Sequence, residues 1–349
     1  AAQARALRRL MPKPLAELLE LGYSFVAYRR LRRAVEQHRP DVLYERHNLY
    51  LLAGRWLKRR YRLPYLLEVN APLAFERHQN DGLAFPRLAR RLEASVWKSA
   101  DVVLPVSAVL GRMMQAEGVD PQRIVVIPNG INLEAFGATI PIEEAKRRLG
   151  LAGRIVLGFT GFVRPWHGLE HVIDFIADAR RNDLVLLVVG DGPARGPLTA
   201  HAERRGVAAQ VRFTGVVDRA AVPAMVAAFD IALQPAATPY ASPLKLFEYL
   251  ALGRAIVAPN QANLAEILED GKNGLLFDPA QPADLGRALG RLVADAALRE
   301  RLGEAARETI LRRGLTWQHN AQRVIALAEQ LLGSRRAAAP RESAPPRAA

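Results

Sequence analysis

The sequence predicts an α/β protein in which parallel β-sheets carry helices on both faces. Three observations support this fold class. Short apolar runs of strand character alternate with helical segments of about 10–15 residues along most of the chain. The 349 residues exceed one ordinary domain and indicate two. Half of the residues are hydrophobic and only 7% are aromatic, so sizeable aliphatic cores can form. We therefore expect two α/β domains, each built on a parallel sheet.

Composition excludes several classes of protein. There is no cysteine, so neither a disulfide framework nor thiolate chemistry is expected, and the cytosol is a permitted compartment. No apolar run reaches the length of about 18 residues that a membrane span needs. The net charge of +14 comes mostly from arginines spread along the chain, without an aromatic–basic RNA motif or zinc-ligand spacing. We expect no nucleic-acid partner.

The first predicted helix, 15–33, has two interpretations. Its apolar positions are followed by a basic cluster, which would suit a helix lying on an anionic membrane surface. A helix that packs on a core and ends in a solvated basic turn would have the same pattern. The apolar positions are Leu15, Leu18, Leu19, Tyr23, Val26 and Leu31, and the cluster is Arg29, Arg30, Arg32 and Arg33.

The first half then alternates strands with helices and ends in a Pro-Asn-Gly turn. A polar loop is expected after the second strand, and Ser107 is a suitable N-cap for the last helix. The predicted strands are 41–45, 64–69, 101–106 and 123–127, and the helices are 48–60, 86–99 and 107–118.

Polar side chains follow the first two of these strands. Parallel sheets bind ligands in the crevice at the carboxyl ends of their strands, so these side chains are candidates for contact with a substrate. Each could equally be a solvated loop residue. The candidates are Glu45, Arg46, Asn70, Glu76 and His78.

The second half repeats the alternation after a connector that contains one short helix, 142–149. The predicted strands are 154–159, 184–189, 210–213, 230–234, 255–258 and 275–277. The predicted helices are 168–181, one ending near 206, 219–228, 242–253, 282–294, 296–312 and 316–332. The Ala/Pro/Arg-rich tail from Gly333 lacks apolar periodicity, so disorder is expected there.

The stretch 242–253 combines a helix start with two charged side chains. Ser242 suits an N-cap and Pro243 the first helical position. The free amides of a first helical turn attract anions. Lys245 adds a cation for phosphate, and Glu248, three residues on, offers a carboxylate for a ribose hydroxyl. The pattern predicts a nucleotide site; an ordinary capped helix with a surface Lys–Glu pair is the alternative.

A second turn, 161–168, closes a strand and opens a helix. Gly161 permits close backbone approach, while Arg164 and His167 can face an anion. A plain strand–helix loop is the alternative. The later Gly190-Asp-Gly192 turn has no third glycine at the required place, which argues against a dinucleotide-binding dehydrogenase.

Four motifs in this order resemble the family 4 glycosyltransferases over residues 40–332. The motifs are VIPNGI (126–131, with Phe136 after it), VVGDGP (188–193), VRFTG (211–215) and SPLKLFEYLALG (242–253). The resemblance implies the type B fold, with two facing Rossmann-like domains. It also implies transfer of a sugar from a UDP-, GDP- or ADP-sugar with retention at the anomeric carbon, without a metal or other cofactor.

The resemblance also implies roles for single residues. Glu248 would contact the ribose, and the amides of Leu244 and Lys245 would hold the diphosphate, which the 161–168 turn would face from the other side. With Arg164, Lys245 would supply positive charge during transfer. The donor-binding set is Gly161, His167, Tyr240, Ser242, Leu244, Lys245 and Glu248, and Asn70, Arg164 and Lys245 are the expected catalytic groups.

Four positions depart from the family pattern. Tyr240 stands where a second glutamate usually holds the donor sugar, and Phe162 and His167 stand where an arginine and a lysine usually bind phosphate. Asn70 replaces a histidine that points at the donor in many members. An amide can hydrogen-bond a sugar but cannot act as a base. These departures bear on the identity of the sugar more than on the nucleotide site.

The expected domains are an acceptor-side domain over 1–136, a linker over 137–150 and a nucleotide-sugar domain over 151–315. A C-terminal helix over 316–332, which could cross back to the first domain, and a disordered tail over 333–349 follow. The chain opens on a helix, whereas the family begins with a strand and a Gly-rich loop. We therefore expect two or three strands of the first domain to be missing.

These features predict a cytoplasmic glycosyltransferase of cell-envelope polysaccharide synthesis. It would act on a glycan or lipid-linked acceptor, with peripheral contact to an anionic membrane as an option. A degenerate relative that binds a nucleotide without transferring sugar is the alternative. An epimerase would need a dinucleotide fingerprint, which is absent.

Overall fold

The computed structural model describes residues 11–137, 140–281 and 283–338 and divides into two compact units. Unit 1 contains the chain up to Ile127 and again from Ala321, and unit 2 runs from Pro128 to Asn320. The expected boundary at 136 was misplaced by nine residues, because Ile131 and Phe136 are buried in the core of unit 2. The connector also belongs to unit 2, where Ala145 packs against Ala227 and Ala228.

Unit 1 is built on a parallel three-stranded sheet in the order β1-β2-β3. The central strand is buried throughout, except for the half-buried Glu68. The strands are β1 (Leu43–Arg46), β2 (Tyr65–Val69) and β3 (Val102–Pro105). The helices are α1 (Lys13–His38), α2 (Ala53–Tyr61), α3 (Leu73–Asn80), α4 (Pro86–Ser99) and α5 (Ala108–Ala116), with a 3₁₀ turn at Pro121–Arg123.

Two local predictions in unit 1 were wrong. The polar loop after β2 is the helix α3, whose Ala74 amide donates to the buried Glu93 carboxylate at 3.3 Å. The segment 123–127 is extended but does not form a strand. The Val125 and Ile127 amides donate to Val103 and Pro105 of β3 at 2.9 and 3.0 Å. Because Pro105 has no amide hydrogen to donate back, the ladder stays incomplete.

Helix α1 packs on unit 1 along one face and leaves most of its large apolar side chains exposed. It packs through Ala16, Glu17, Ser24 and Ala27, and the carboxylate of Glu17 accepts the Ala84 amide at 2.7 Å. All six apolar positions of the predicted pattern are exposed, as is Phe25. The helix therefore packs on unit 1 and ends in an exposed basic turn, as the second interpretation expected, but it packs through residues other than the predicted apolar positions. No helix in the described part of the chain is long and apolar enough to span a membrane.

The last helix, α15 (Trp317–Ala338), contributes its later turns to unit 1. Val324, Leu327, Ala328 and Leu331 pack against the sheet core at Leu66 and Leu104. Disorder from Gly333 was the wrong prediction for 333–338, because Ser-Arg-Arg-Ala-Ala favours helix and Arg335 bonds to Asp101 at 3.3 Å. The rest of the tail, 339–349, lies outside the described residues.

Unit 2 is a parallel six-stranded sheet in the order β6-β5-β4-β7-β8-β9, a doubly wound arrangement with apolar cores on both faces. Its strands are β4 (Ile155–Thr160), β5 (Leu184–Val189), β6 (Val211–Phe213), β7 (Ile231–Leu233), β8 (Ala255–Pro259) and β9 (Leu275–Phe277).

The helices of unit 2 follow the predicted alternation, apart from two short helices at Leu133–Phe136 and Ala262–Ala265 that the sequence did not suggest. They are α6 (Leu133–Phe136), α7 (Ile142–Arg148), α8 (Leu169–Ala179), α9 (Arg195–Arg204), α10 (Val222–Val226), α11 (Leu244–Ala251), α12 (Ala262–Ala265), α13 (Asp284–Ala294) and α14 (Ala296–Arg312). Short 3₁₀ turns lie at Pro165–His167, Ala208–Gln210 and Arg219–Ala221.

Candidate functional site

A cavity of about 560 Å³ opens in unit 2 where β4, β5 and β7 end. Because β4 and β7 are adjacent and their connections leave the sheet in opposite directions, this edge is a natural ligand crevice. The lining residues come from the turn after β4, the loops after β5, β6 and β7, and the first turns of α11. They include Thr160, Gly161, Trp166, His167, Gly190, Asp191, Gln234, Leu244, Lys245 and Glu248.

Two glycines bring the ends of β4 and β5 into backbone contact. Gly161 has φ +120° and donates its amide to Val189 at 2.9 Å. Gly190 has φ +141°, and a Cβ there would lie 2.1 Å from the Gly161 carbonyl oxygen. Only glycine fits this conformation and this separation. The close contact leaves backbone, rather than side chains, at this part of the cavity wall.

Lys245 lies in the first turn of α11 with its ammonium on an aromatic ring. Its Nζ is 3.7 Å from the centroid of the fully buried Phe159 ring. Within the described residues Lys245 makes no hydrogen bond or close ion pair. Burial lowers the pKa of Lys245 to about 7, although the nearby Glu248 opposes this shift. The cavity therefore holds a cation that lacks a close anionic partner.

Glu248 follows one turn later and lines the same cavity. Burial raises the pKa of its carboxyl, while Arg219, a hydrogen bond from Thr160 and Lys245 act in the opposite direction. The Thr160 hydroxyl donates to Glu248 Oε2 at 3.4 Å, and the Thr160 amide donates to the Tyr249 hydroxyl at 2.9 Å. The end of β4 thus orients the carboxylate.

His167 is a buried, neutral group in the 161–168 turn. Its Nδ1 accepts the Arg164 amide at 3.0 Å, so a neutral ring carries its hydrogen on Nε2. The ring packs between Phe159 and Trp166, at centroid distances of 4.8 and 4.1 Å. Burial, Lys245 and Arg164 lower the pKa of His167 to about 3. At neutral pH His167 offers a hydrogen-bond donor but no positive charge.

Arg164 does not line the cavity. Its guanidinium lies over the exposed Phe162 ring, 5.1 Å from the centroid. The structure therefore brings Lys245, Glu248, His167 and Gly161 together at one cavity and leaves Arg164 on its outer side.

The predicted N-cap was wrong. Pro243 occupies the N-cap position of α11, and no side chain caps the helix. Ser242 instead binds the Pro-Asn-Gly turn: its hydroxyl accepts the Asn129 amide at 3.1 Å, and its carbonyl accepts Asn129 Nδ2 at 2.6 Å. Leu244 is half exposed on the cavity wall, whereas Tyr240 is buried and does not contribute to the lining.

In unit 1, Asn70 and Arg46 converge on Glu68. Asn70 Nδ2 donates to Glu68 Oε1 at 2.6 Å, and Arg46 Nε lies 3.5 Å from the same oxygen. Tyr44 also donates its hydroxyl to Glu68. These side chains form one polar group at the β1 and β2 ends.

Glu45 lies apart from Arg46, because neighbouring residues of a strand point to opposite faces. Its Oε2 accepts the Tyr65 hydroxyl at 3.1 Å, and a Cβ on Gly54 would lie only 1.8 Å from that oxygen. Its Oε1 is buried without a hydrogen-bond partner. Burial raises the pKa of Glu45 to about 7, although the Tyr65 hydrogen bond opposes this.

Glu76 and His78 lie on α3 beside two separate cavities of unit 1. Glu76 lines one of about 340 Å³ with Arg77, and His78 lines one of about 320 Å³ with Trp97. The five predicted residues of unit 1 therefore do not form one site.

The sequence did not suggest Phe159, Thr160, Tyr249 or Gln234 as site residues. Thr160 could have been found as a polar residue ending a buried strand. Gln234 is a fully buried amide on the cavity wall, and its Oε1 has no hydrogen-bond partner. Nothing in the pattern distinguishes Phe159 from a core phenylalanine.

Two family models match consecutive parts of the chain. The model described as glycosyltransferase family 4 matches residues 1–135, and the one described as glycosyl transferases group 1 matches residues 141–309.

The curated relatives are themselves glycosyltransferases. The 2-deoxystreptamine glucosyltransferase of Streptomyces kanamyceticus is 29% identical over 71% of this chain and 66% of its own length. A D-inositol 3-phosphate glycosyltransferase of Acidothermus cellulolyticus is 29% identical over 95% of this chain and 76% of its own length. Matches to four of the relatives span only 42% to 66% of those proteins.

Solved structures share the fold. HepE of Anabaena in complex with UDP superposes with a TM-score of 0.75 at 21% identity, covering 87% of this chain and 82% of its own. The lipopolysaccharide glycosyltransferase WaaG gives a TM-score of 0.62 at 20% identity, covering 80% and 76%. With two parallel-sheet units of the type B fold and matches to both family models, the chain belongs to the family 4 glycosyltransferases.

Proposed function

We propose that the cavity of unit 2 binds a nucleotide-diphosphate sugar, and that the protein transfers its sugar to an acceptor. The observation that carries this is the pair Lys245 and Glu248 on the first two turns of α11, facing one cavity of about 560 Å³. A cation without a close anionic partner beside a helix N-terminus fits a diphosphate. Solved structures of HepE contain UDP or UDP-glucose, which supports such a donor.

Each group has a role in holding the donor. The amides of Leu244 and Lys245 and the Lys245 ammonium bind the diphosphate, and Gly161 lets the backbone approach it. His167 donates from Nε2. Glu248, oriented by Thr160, accepts the ribose hydroxyls. Ser242 fixes the start of α11 through Asn129, and the buried Tyr240 supports the following loop without contacting the sugar.

The chemical requirement is to hold the reactants and stabilise the departing diphosphate. Lys245 and the helix amides supply positive charge where negative charge develops, so transfer needs no metal or other cofactor. Retention at the anomeric carbon is what the family resemblance implies. Arg164 contributes through its long-range charge from outside the cavity. Asn70, whose amide can only hydrogen-bond, orients a sugar hydroxyl rather than acting as a base.

The acceptor is a glycan or a lipid-linked glycan of the cell envelope, and unit 1 binds it in the cytoplasm. Arg46, Glu76 and His78 have polar groups near the surface that suit sugar hydroxyls. Glu45 supports β1 instead, because its carboxyl is enclosed by Tyr65 and Gly54. The exposed apolar face of α1 and its arginines bring unit 1 to an anionic membrane, where lipid-linked acceptors reside.

Calorimetry with UDP, GDP and ADP tests the donor site. We expect one diphosphate to bind selectively and Glu248→Ala to weaken it at least about tenfold, because a charged hydrogen bond to the ribose contributes about 1.5–3 kcal/mol. The control, Glu134→Ala, removes an exposed carboxylate of the same unit and should bind as the parent does. Failure of a folded chain to bind any of the three would refute the donor site.

A nucleotide-binding relative without transferase activity is the second candidate. Two observations favour it: His167 carries no charge where the family has a cation, and Tyr240 is buried where the family has a glutamate. Release of the diphosphate from its sugar nucleotide, in EDTA and with an acceptor extract, separates the two. Acceptor-dependent release supports the transferase, and tight binding without release supports the second candidate.

A further inference from the structure

Among the described residues, Phe159 has the only aromatic ring that contacts the ammonium of Lys245. It is the second-last residue of β4, is fully buried, and has its ring centroid 3.7 Å from Nζ. A phenyl face stabilises an ammonium ion but offers nothing comparable to a neutral amine. The ring therefore favours the protonated lysine at this position.

The other described groups around the Lys245 ammonium provide no negative charge in direct contact with it. Gly161 has no side chain, and a Cβ placed there would be 3.7 Å from Nζ. His167 packs on the same ring at 4.8 Å and is neutral. The titratable and charged groups around Lys245 are Glu248 and Tyr249 on its own helix, His167 and Arg164 on the turn after β4, Asp191 beyond β5, and Arg219.

Glu248 and Asp191 do not neutralise Lys245 at close range. Glu248 accepts a hydrogen bond from the Thr160 hydroxyl, and Asp191 forms an ion pair with Arg195 at 3.0 Å. Burial leaves the pKa of Lys245 at about 7, so roughly half of the free molecules carry the charge at neutral pH. An anion placed beside Nζ would raise that pKa and draw in a proton.

We propose that Phe159 is a positioning residue that holds Lys245 at the diphosphate end of the cavity, and that nucleotide binding is coupled to proton uptake by Lys245. This inference rests on the proposed function, since it requires a diphosphate to enter the cavity. Binding then includes one protonation step, in which the amine of Lys245 takes a proton from solvent and forms an ion pair with the diphosphate. Affinity should fall as the pH rises through neutrality.

Proton uptake can be measured by titrating the protein with UDP in buffers of different ionisation enthalpy. At pH 7 we expect uptake of about half a proton more than Lys245→Met shows, because Lys245 is half protonated when free. The subtraction removes the contribution of the terminal phosphate of UDP, whose own pKa is near 6, as for a phosphate monoester. Equal uptake by the parent and Lys245→Met would overturn the coupling.

Phe159→Leu tests the positioning role without leaving a polar group in the core. Without the ring the free lysine loses its proton more easily. The dissociation constant for UDP should therefore stay within about twofold of the parent at pH 6 and rise roughly 3- to 10-fold above it at pH 8. The control, Phe277→Leu, removes a buried ring of the same core on β9 and should show no pH-dependent difference.

The outcomes separate the two proposals. A parent chain that binds none of UDP, GDP and ADP overturns the donor site and this inference together. If another diphosphate binds in place of UDP, the same titrations use it. Normal binding with no Lys245-dependent proton uptake overturns this inference alone. A Phe159→Leu chain that matches Phe277→Leu at every pH overturns the positioning role even if the proton is taken up.

Discussion

Lys245, His167 and Glu45 are titratable side chains whose charge is set by burial. Lys245 and His167 lose basicity in an apolar wall around Phe159, whereas Glu45 loses acidity beneath α2. At neutral pH residue type alone predicts full charge on Lys245 and Glu45, whereas burial leaves each of them only partly charged. The neutral His167 matters for function, because it leaves Lys245 and the helix amides as the main positive charge in the cavity.

Glu45 provides a test at this scale that does not depend on any ligand. Its folded-state pKa of about 7 lies above its ordinary value, so its ionisation destabilises the folded protein as the pH rises from about 5 to 8. Glu45→Gln keeps an acceptor for Tyr65 but cannot ionise. We expect the variant to match the parent at pH 5 and to exceed it by about 1–3 kcal/mol at pH 8 in urea unfolding.

A matched substitution checks that result. Glu36→Gln changes an exposed glutamate of unit 1 and should leave the pH dependence of stability as in the parent. A Glu45→Gln chain that matches the parent at both pH 5 and pH 8 would show that the Glu45 carboxyl is better solvated than its enclosure by Tyr65 and Gly54 indicates.

At the scale of elements, the cavity depends on backbone approach between strand ends. β4 and β5 continue past their ladder through Gly161 and Gly190, and Val163 donates to Asp191 at 2.9 Å. Helix α11 is held at its start by the paired hydrogen bonds between Asn129 and Ser242. The Pro-Asn-Gly turn and the start of the SPLKLFE stretch thus contact each other directly, although 113 positions separate Asn129 from Ser242.

Gly190→Ala should disrupt this contact. The added Cβ would lie 2.1 Å from the Gly161 oxygen, and the φ of +141° is strained for any other residue. We expect a loss of about 2–3 kcal/mol or more in unfolding free energy, with weaker nucleotide binding. Gly196→Ala, on α9 where a Cβ meets nothing within 4 Å, should be neutral or stabilising. Similar losses in both variants would contradict the steric explanation.

At the scale of the whole molecule, exposed apolar surface concentrates on one helix, which also carries a basic cluster. Seven of the 18 strongly exposed large hydrophobic side chains in the described chain lie on α1, next to its four arginines. The overall charge of +14 adds a general attraction to anionic surfaces. Helix α1 is therefore the element through which we expect unit 1 to meet a membrane.

Co-sedimentation with vesicles containing anionic lipid tests this expectation. Replacing Arg29, Arg30, Arg32 and Arg33 with glutamine should weaken binding more than about tenfold, because each arginine near an anionic surface contributes about 1 kcal/mol. The control removes equal charge from unit 2. It replaces the exposed Arg291, Arg301, Arg307 and Arg312, and it should bind nearly as the parent does. Equal loss in both would mean that net charge, rather than α1, drives binding.

Most of the strands and helices were predictable because local sequence patterns determine them. The sheet of unit 2, including strands 184–189 and 275–277, follows from apolar runs bounded by turns, and helices 86–99 and 296–312 from periodicity and caps. Family membership was predictable because the four motifs keep their order and spacing, and the family models confirm it. The spacing of three residues also predicted that Lys245 and Glu248 lie on the same face of a helix, near its start.

Other features depend on contacts between residues far apart in the chain. Ser242 meets Asn129 instead of capping its helix, and Phe159 of β4 meets Lys245 of α11, because sheet order brings these segments together. The charge of Lys245 and His167 follows from burial, which no local pattern encodes. The sequence by itself thus determined the elements, the family and the residue types of the cavity. Only the tertiary structure decided which of those residues line the same cavity and which of them are charged there, because proximity and desolvation are properties of the packed chain.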